Sequence, residues 1–567
     1  MLIDASTFPF GHQIQADVMV IGSGPAGLAL ALNLASSNCS VVVLESGGVK
    51  REIDCDELNE GESVRPDVHA IPSLYRTRVL GGTSAVWGGR CVPLQDIDFE
   101  KRDWVPHSGW PIAADEISPW LGPAANFLEA GQAEFEQTTL RTDIELIRGF
   151  KSADIAIAVE RFSPPTNVGR KYYKDVCRAS GLTVVTHATC LELIPNTDNN
   201  SISSLRCCGP DGRIFSAQGR FYVAAAGGLE TTRLLLASTA NNLSGVGNKH
   251  GLVGRYYMCH IEGTFGQLEL WPANRPVHWG FERTIDGIYA RRKLQLTADV
   301  QRKERVCNSM WRLHHPIPGN PSHGLAVLSL MYLVKQFIIP EYRRKLGMVD
   351  RAQLAHSKRG PNHYIAHLRN LVSDLPGLSS FTANWIIHRY LKYRRIPFVV
   401  LPSREGKYPL DFNAEQTPNW HSRVYLGKER DRFGVPRLIV DWQMADDDIK
   451  SAVKAFAILK SSFEQSGVGT VNYDPATFID VVREAVPLGG HHIGTARMAT
   501  DPKQGVVDGN CKVHGMNNLY IAGSAVFPTS GHANPTLTIV ALAMRLAAHI
   551  RSLRVDRKIE DFEVSLR

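Results

Sequence analysis

Hydrophobic and polar positions along the chain fall into three kinds of stretch. Near the start, a short apolar run, Ala16 to Ile21 (ADVMVI), ends in a glycine; a helical stretch, Pro25 to Ser36, follows, and a second apolar run covers Val41 to Leu44. Two apolar runs joined by one helix predict a βαβ unit. Residues Gly181 to Ala226 alternate like paired strands and end in FYVAAAGG, and Glu230 to Ser238 then reads as a helix that returns the chain to the first domain. From about Glu262 to Val482 the character changes to aromatic-rich strand-like pieces and a basic helical stretch, Lys335 to Arg395. Near the end, Leu519 to Ala522 is a predicted strand, followed by a turn at Gly523-Ser524, a loop, and a helix starting near Pro535. Proline suits a first helical turn because it has no amide hydrogen to leave unpaired.

The chain has 567 residues, about four times the usual ~150-residue domain, so two or more interlocked domains are expected. Internal repeats and low-complexity linkers are absent, which predicts domains discontinuous in sequence. One comprises 14–110, 170–262 and 483–567; the other comprises 111–169 and 263–482. The expected class is α/β with α+β: a Rossmann-type nucleotide domain beside one built on an antiparallel sheet.

Composition excludes some functions. Apolar residues are 44% and charged residues 21%, the profile of a folded chain. A net charge of +7 spread over this length does not indicate a nucleic-acid binder. The ten cysteines form no C-x-x-C spacing and read as reduced thiols, and the first fifteen residues lack a secretory signal, so a cytoplasmic location is expected. No metal site is expected. No window of about twenty apolar residues is read; the longest candidate, Gly324 to Pro340, is short and carries Lys335, which favours a buried helix. The basic stretch reads as solvated helix faces, the alternative being a surface that touches membrane or an acidic partner.

The turn of the βαβ unit is Gly22-Ser23-Gly24-Pro25-Ala26-Gly27, and Glu45 closes the second strand. Gly22 permits the tight turn, Gly24 lets backbone approach a pyrophosphate, and Gly27 lets the helix pack on the strand. The pyrophosphate then sits at the helix N-terminus, and Glu45 accepts from ribose hydroxyls. A second G-x-G-x-x-G is lacking, so one dinucleotide is expected. A further loop, RTRVLGGTSAVWGGRC, carries Gly81-Gly82 and Gly88-Gly89 around Trp87, bare backbone suited to a flat ligand or to a plain surface turn. Towards the end stand GGHHIGTARM, with adjacent His491 and His492, and Asn534 before Pro535, which reads by itself as a helix N-cap. His514 and His532 are weaker candidates.

These residues resemble the glucose-methanol-choline (GMC) family of FAD-dependent oxidoreductases. The likeness rests on the fingerprint, GGTSAVWGG, AAAGGLETTRLLLAS, GLVGRYYMCH, QTPNWHSRVYLG and the C-terminal block. H-x-x-G-T-x-R-M (His491 to Met498) together with N-P-T-L-T (Asn534 to Thr538) looks most like the sugar-oxidising branch that includes pyranose oxidases. The resemblance implies oxidation of an alcohol to a carbonyl, with a secondary hydroxyl of a sugar or glycoside expected as substrate and oxygen or another oxidant as acceptor. His491, three residues before Gly494, takes the position of the base; His492 then packs behind it. Asn534 holds the hydroxyl or developing alkoxide. FAD is held by Gly22, Gly24, Gly27, Glu45, Gly81, Gly82, Thr83, Trp87, Cys190, Gly523, Pro535 and Thr536, the helix from Pro535 facing the charge that gathers on the reduced ring. Relatives that tether the flavin do so through a histidine before the loop tryptophan; here that residue is Val86, so non-covalent FAD is expected. Trp385, Trp420 and Trp442 could stack on a sugar or belong to the core. Three alternatives stand beside this reading: a sterol or natural-product alcohol as substrate, a lyase keeping FAD only as structure, and the flavin subunit of a membrane electron-transfer complex.

Overall fold

The computed structural model describes residues 1–565 except 38, 275–276, 339–359, 393, 395, 398–400, 402 and 485–489. Gly489 and much of the basic stretch, including EYRRK, therefore lie outside the described residues.

Val18–Ile21, Val41–Leu44 and Phe221–Ala224 are apolar at nearly every position because their strands are covered on both faces, as parallel sheets require. Strands Leu2–Asp4, Leu182–Thr186, Val41–Leu44, Gln13–Ile21 and Ile214–Ala224 lie side by side in that order, all parallel. The end of the long strand Ile214–Ala224 pairs in parallel with Leu519–Ile521, while its beginning pairs antiparallel with Ile202–Cys208, which continues to Thr189–Pro195. In register, Ile21 stands beside both Leu44 and Ala224, and Ala224 beside Ile521. The next residues, Gly22, Glu45, Ala225 and Ala522, thus leave the sheet at one level. That carboxyl edge is where open parallel sheets bind ligands.

The antiparallel sheet runs in the order Gly469–Asn472, His260–Leu270, Lys407–Glu415, Ser309–Leu313, Tyr289–Leu296, Ile155–Phe162, Arg90–Cys91, with Glu282–Arg283 added beside Tyr289–Leu296. Two pieces assigned by sequence to the nucleotide part, Arg90–Cys91 and His260–Glu262, pair here. Helix Asp446–Ser466 packs Phe456 against Trp311 and Phe412 of this sheet. A small sheet of Arg423–Arg430, Pro436–Asp441 and Gly61–Ser63 draws on both parts of the chain.

The C-terminal helix, Thr536–Ser565, corrects one sequence reading. Its stretch Thr536–Arg554 has a mean hydropathy of 1.3, long and apolar enough for a membrane span, where no such window was read. More than half of it (56%) is buried. It packs on helix Pro25–Ala35 within the main core. Its apolarity is that of a core helix enclosed on most sides. Separately, Ala326–Ile338, Pro361–Ser373 and Leu375–Ile386 make a helical lobe around Leu325, Val327, Leu328 and Leu401.

Glycine is required at two places in the fingerprint for different reasons. Gly22 has φ +103°, and a Cβ on it would lie 2.7 Å from the Ala225 carbonyl oxygen. A Cβ on Gly27 would run into the Gly22 carbonyl oxygen, whereas one on Gly24 would meet nothing within 4 Å. Gly27→Ala is therefore expected to lower the melting temperature of the apoprotein by several degrees, the overpacking cost being about 1–3 kcal/mol. Gly24→Ala should leave that temperature unchanged and weaken cofactor retention; thermal melts of the two apo-variants check the contrast.

Candidate active site

Two glycine loops, remote in sequence, close on each other at the sheet edge. Gly81 N donates to Ser23 Oγ at 3.1 Å, and Gly82 approaches so closely that its Cβ would sit 2.9 Å from Gly24 Cα. Both adopt positive φ, +93° and +53°. Glu45 braces the turn from below: Oε2 accepts from Ser23 N at 3.0 Å and Ser23 Oγ at 2.6 Å, and Oε1 accepts from Gly47 N at 2.9 Å. Burial raises the Glu45 carboxyl, and the Ser23 and Gly47 hydrogen bonds oppose that rise. Each carboxylate oxygen keeps acceptor capacity for a ribose hydroxyl. Thr83 is exposed on the second loop. Trp87 is fixed by Nε1 donating to the Thr166 carbonyl at 3.0 Å, and Val86 beside it is 42% exposed. Cys190 is half-buried on strand Thr189–Pro195, and Gly523, φ +151°, has nothing within 4 Å of where a Cβ would stand.

His491 sits where a mid-chain segment is sewn to one nearer the C-terminus. Met258 and Ile493 exchange backbone hydrogen bonds of 2.9 and 3.0 Å as an antiparallel bridge. Gly494 N, Ala496 N and Met498 N then donate to Ser524, Ala525 and Val526 carbonyls. Two residues on from Met258 is His260, and two back from Ile493 is His491, so the bridge sets these imidazoles opposite each other. Their Nδ1 atoms are 2.8 Å apart. Glu262, two further along the same strand and hence on the same face, puts Oε1 3.5 Å from His491 Nδ1. The other ring nitrogen, Nε2, accepts from Asn534 Nδ2 at 3.0 Å. Asn534 therefore turns to His491 and not to the helix amides, and the helix itself starts at Thr536, one residue after Pro535.

The electrostatics separate the two partners of His491. Burial, reinforced by the neighbouring His491, lowers His260 to about 3 and keeps it neutral. Burial alone would raise Glu262, but the hydrogen bond from His491 and the charges of His491 and Arg312 outweigh it and hold the carboxyl at about 2. The donor atoms of His260, Glu262 and His491 lie within 4.8 Å of one another, a spacing a cation could use, although mutual contacts already occupy them. Sequence reading missed His260 and Glu262; the available signal was H-I-E, two polar residues at strand spacing.

His492 points away from this cluster. Its Nδ1 is 2.7 Å from Tyr257 Oη, which lies 3.0 Å from His69 Nε2, and burial pushes His492 well below the usual histidine range. His532, on the loop that carries Asn534, is fully buried against Lys293, Nε2 to Nζ 2.5 Å. That loop is anchored by Asn413 Nδ2 donating to the His532 carbonyl (3.1 Å) and by Trp110 Nε1 donating to Thr529 Oγ1 (2.8 Å). His514 Nε2 lies 2.9 Å from the Ala499 carbonyl. The three tryptophans are scattered: Trp442 is core, its Nε1 donating to Gln416 Oε1; Trp420 lies under the Arg255 guanidinium; Trp385 contacts Tyr390.

The residues present fit FAD. Open space beside Gly24 and Gly523 faces the carboxyl edge of the sheet, where two glycine loops and a helix N-terminus converge. Beside His491, Asn534 Oδ1 is buried with no hydrogen-bond partner among the described residues. A parallel sheet with a dinucleotide cleft, at whose rim a histidine and an amide meet beside an antiparallel sheet, defines a flavin-dependent oxidoreductase.

The chain is similar to the GMC oxidoreductases: residues 418–543 match the GMC oxidoreductase family and residues 17–52 match a FAD binding domain. Over 95% of its length it is 23% identical to paromamine 6′-oxidase of Streptomyces fradiae, covering 92% of that protein. It is 23% identical to 2-methyl-1,2-propanediol dehydrogenase of Mycolicibacterium austroafricanum, over 94% of this chain and 95% of that one. A 130-residue part, 22% of the chain and 24% of the relative, is 35% identical to C-glycoside 3-oxidase of Microbacterium trichothecenolyticum. Among solved structures, a fungal aryl-alcohol oxidase shares the fold with a TM-score of 0.51 at 15% identity, over 95% of this chain and 99% of that one. Pyridoxine 4-oxidase from Mesorbium loti does so with a TM-score of 0.50 at 16% identity, over 94% and 99%.

The buried lysine under the site gives a pH test. Burial lowers the Lys293 ammonium to about 7; Glu160 opposes this, and Arg312 and Arg90 add to it. Between about 7 and the ordinary 10.5 the unfolded chain binds a proton that the folded protein gives up. Stability from this group therefore rises with pH through that window. Relative to Lys293→Met, the wild type should gain melting temperature from pH 7 to pH 9.5 in calorimetric scans. A difference that does not change with pH would show a lysine charged in the fold throughout.

Proposed function

We propose that the protein oxidises an alcohol to a carbonyl, its substrate being a secondary hydroxyl of a sugar or glycoside, with His491 as the base. The observation that carries this reading is the His491–Asn534 pair: an imidazole nitrogen and an amide, 3.0 Å apart, at the rim of a dinucleotide cleft. Oxidation at a CH–OH carbon removes a proton from oxygen and a hydride from carbon. When bound, FAD supplies the acceptor for the hydride.

The chain's own residues handle the proton. With Nδ1 facing His260 and Glu262, the proton of neutral His491 belongs on Nδ1, and the lone pair of Nε2 is left to take the hydroxyl proton. The ionised Glu262 carboxylate then stabilises the imidazolium that forms, as a carboxylate does behind the histidine of hydrolytic triads. Neutral His260 fills the remaining space without adding a competing positive charge. Asn534 gives up Nε2 to the substrate and offers its Nδ2–H to the developing alkoxide; an amide does this without contesting the proton. The buried contact of Lys293 with His532, on the asparagine's loop, fixes that loop's depth.

The sugar or glycoside reading draws support from the aminoglycoside and C-glycoside oxidases among the relatives. FAD is read as non-covalent because valine at position 86 offers no nucleophile, so acid denaturation should release all of the flavin to the supernatant. The function is tested by anaerobic mixing of the holoenzyme with glycosides, polyols and sterols while following flavin absorbance. Glycosides should bleach it fastest. His491→Ala should retain FAD and lose bleaching by about a hundredfold or more; bleaching at an undiminished rate would exclude His491 as base. Glu262→Gln should lower kcat by about tenfold to a hundredfold with little change in KM.

A further inference from the structure

Helix Pro361–Ser373 of the helical lobe is amphipathic the wrong way round. Its side towards the protein carries His363, His367 and Asn370. His367 is fully buried with Nδ1 3.0 Å from Ser329 Oγ, and Asn370 Nδ2 donates to the Pro321 carbonyl at 2.7 Å. Its side towards solvent carries Tyr364, Ile365, Leu368 and Val372, at 44%, 59%, 53% and 74% exposure. These four fall within about a third of a turn by helical spacing. A helix of a water-soluble surface has the opposite arrangement, so this face is shaped for an apolar neighbour. The segments that follow extend it: Leu375 starts the next helix, and Ile386, Ile387, Tyr390 and Leu391 stand exposed at its far end.

Charge selects the neighbour. Between residues 360 and 392 the one acidic residue, Asp374, is buried and paired with Arg404. Arg369 and Lys392 are exposed beside the apolar residues. By sequence, 335–395 holds twelve Lys and Arg against three Asp and Glu, a net +9 in a chain whose total is +7. A second copy of this chain docking on the same face would set like charges against each other. Aliphatic side chains with tyrosines and cations at their margin match the headgroup boundary of a bilayer, and the cations match anionic lipid.

We propose that this lobe is a membrane-surface anchor: the face of Tyr364, Ile365, Leu368 and Val372, continued by Leu375 and Ile386–Leu391, lies on an anionic phospholipid surface. The inference is independent of the alcohol substrate. It is tested by flotation of the holoenzyme with vesicles of phosphatidylglycerol and phosphatidylcholine, or of phosphatidylcholine alone, with sedimentation analysis of the free protein. Wild type should bind the anionic vesicles about tenfold more than the zwitterionic ones, and the difference should fall at about 0.5 M salt. The triple variant Ile365→Glu, Leu368→Glu, Val372→Glu should lose vesicle binding and keep wild-type turnover of a soluble alcohol, which shows that it folds. Binding to neither vesicle, or equally to both, overturns the proposal. So does a wild-type dimer that the triple variant converts to monomer without any vesicle binding, since the face would then belong to self-association.

Discussion

The site depends on one pair of backbone hydrogen bonds, those between Met258 and Ile493. They join segments 235 positions apart, and every relationship in the proton-handling cluster follows from their register. A slip of one residue would turn His491 away from His260 and present His492 or Gly490 to the rim instead, because side chains alternate along an extended chain. Gly494 holds the register: with φ +85° it turns the chain immediately after the bridge, and a Cβ there would press to 2.6 Å from the Tyr256 carbonyl oxygen. Gly494, Ala496 and Met498 then donate their own hydrogen bonds to Ser524, Ala525 and Val526, the short helical turn that follows the parallel strand Leu519–Ile521 of the nucleotide domain. The bridge thus couples the antiparallel sheet to the dinucleotide cleft at the one point where chemistry needs both.

How much of this was legible in the sequence follows from the range of each constraint. Gly22, Gly24, Gly27 and Glu45 were readable because their task is local: a tight turn, an open approach, a close helix contact and a carboxylate at the next strand end, all within about twenty-five residues. His491 and Asn534 were readable through resemblance and not through spacing, since no local rule brings residue 491 beside residue 534. Taken by itself, Asn534 is a natural helix cap, and only the structure turns its side chain to the imidazole. His260 and Glu262 share a strand face, a local fact, but the meaning of that face comes from the Met258–Ile493 register, which is long-range. The C-terminal helix misled in the other direction: its apolarity was underestimated because small residues such as Ala541, Ala543 and Ala547, fully packed against another helix, contribute little to an eye searching for long aliphatic runs.

The contrast between His260 and Glu262 says what kind of site this is. Both stand within reach of His491 Nδ1, yet burial lowers one imidazole to about 3 while the His491 hydrogen bond and the charges nearby hold the carboxyl at about 2. A second titrating imidazole would let the two histidines share a proton over several pH units and blur the basicity of either. Depressing His260 removes that competition. The negative charge is then supplied by a carboxyl held below the ordinary range. The sheet contributes to the same end: Glu160 and Asp411 engage Arg312, so that the guanidinium acts on Glu262 as one element of a balanced network and not as an unpaired buried cation.

The helical lobe obeys a different logic. The catalytic cluster places polar side chains inside, where His491 meets His260 and Asn534, and His367 and Asn370 are likewise hydrogen-bonded on the inner side of helix Pro361–Ser373. Satisfying buried polar groups explains why the inner side is polar; it gives no reason for the outer side to be apolar. An exposed valine or leucine is ordinary when single. Four on one stripe of a helix whose inner side is already filled by histidines and asparagine are not by-products of core formation, because the lobe's small core is built from other residues, Leu325, Val327, Leu328 and Leu401. Among the described residues the stripe has no part in holding the fold, and a contact beyond them is the physical reason for its composition.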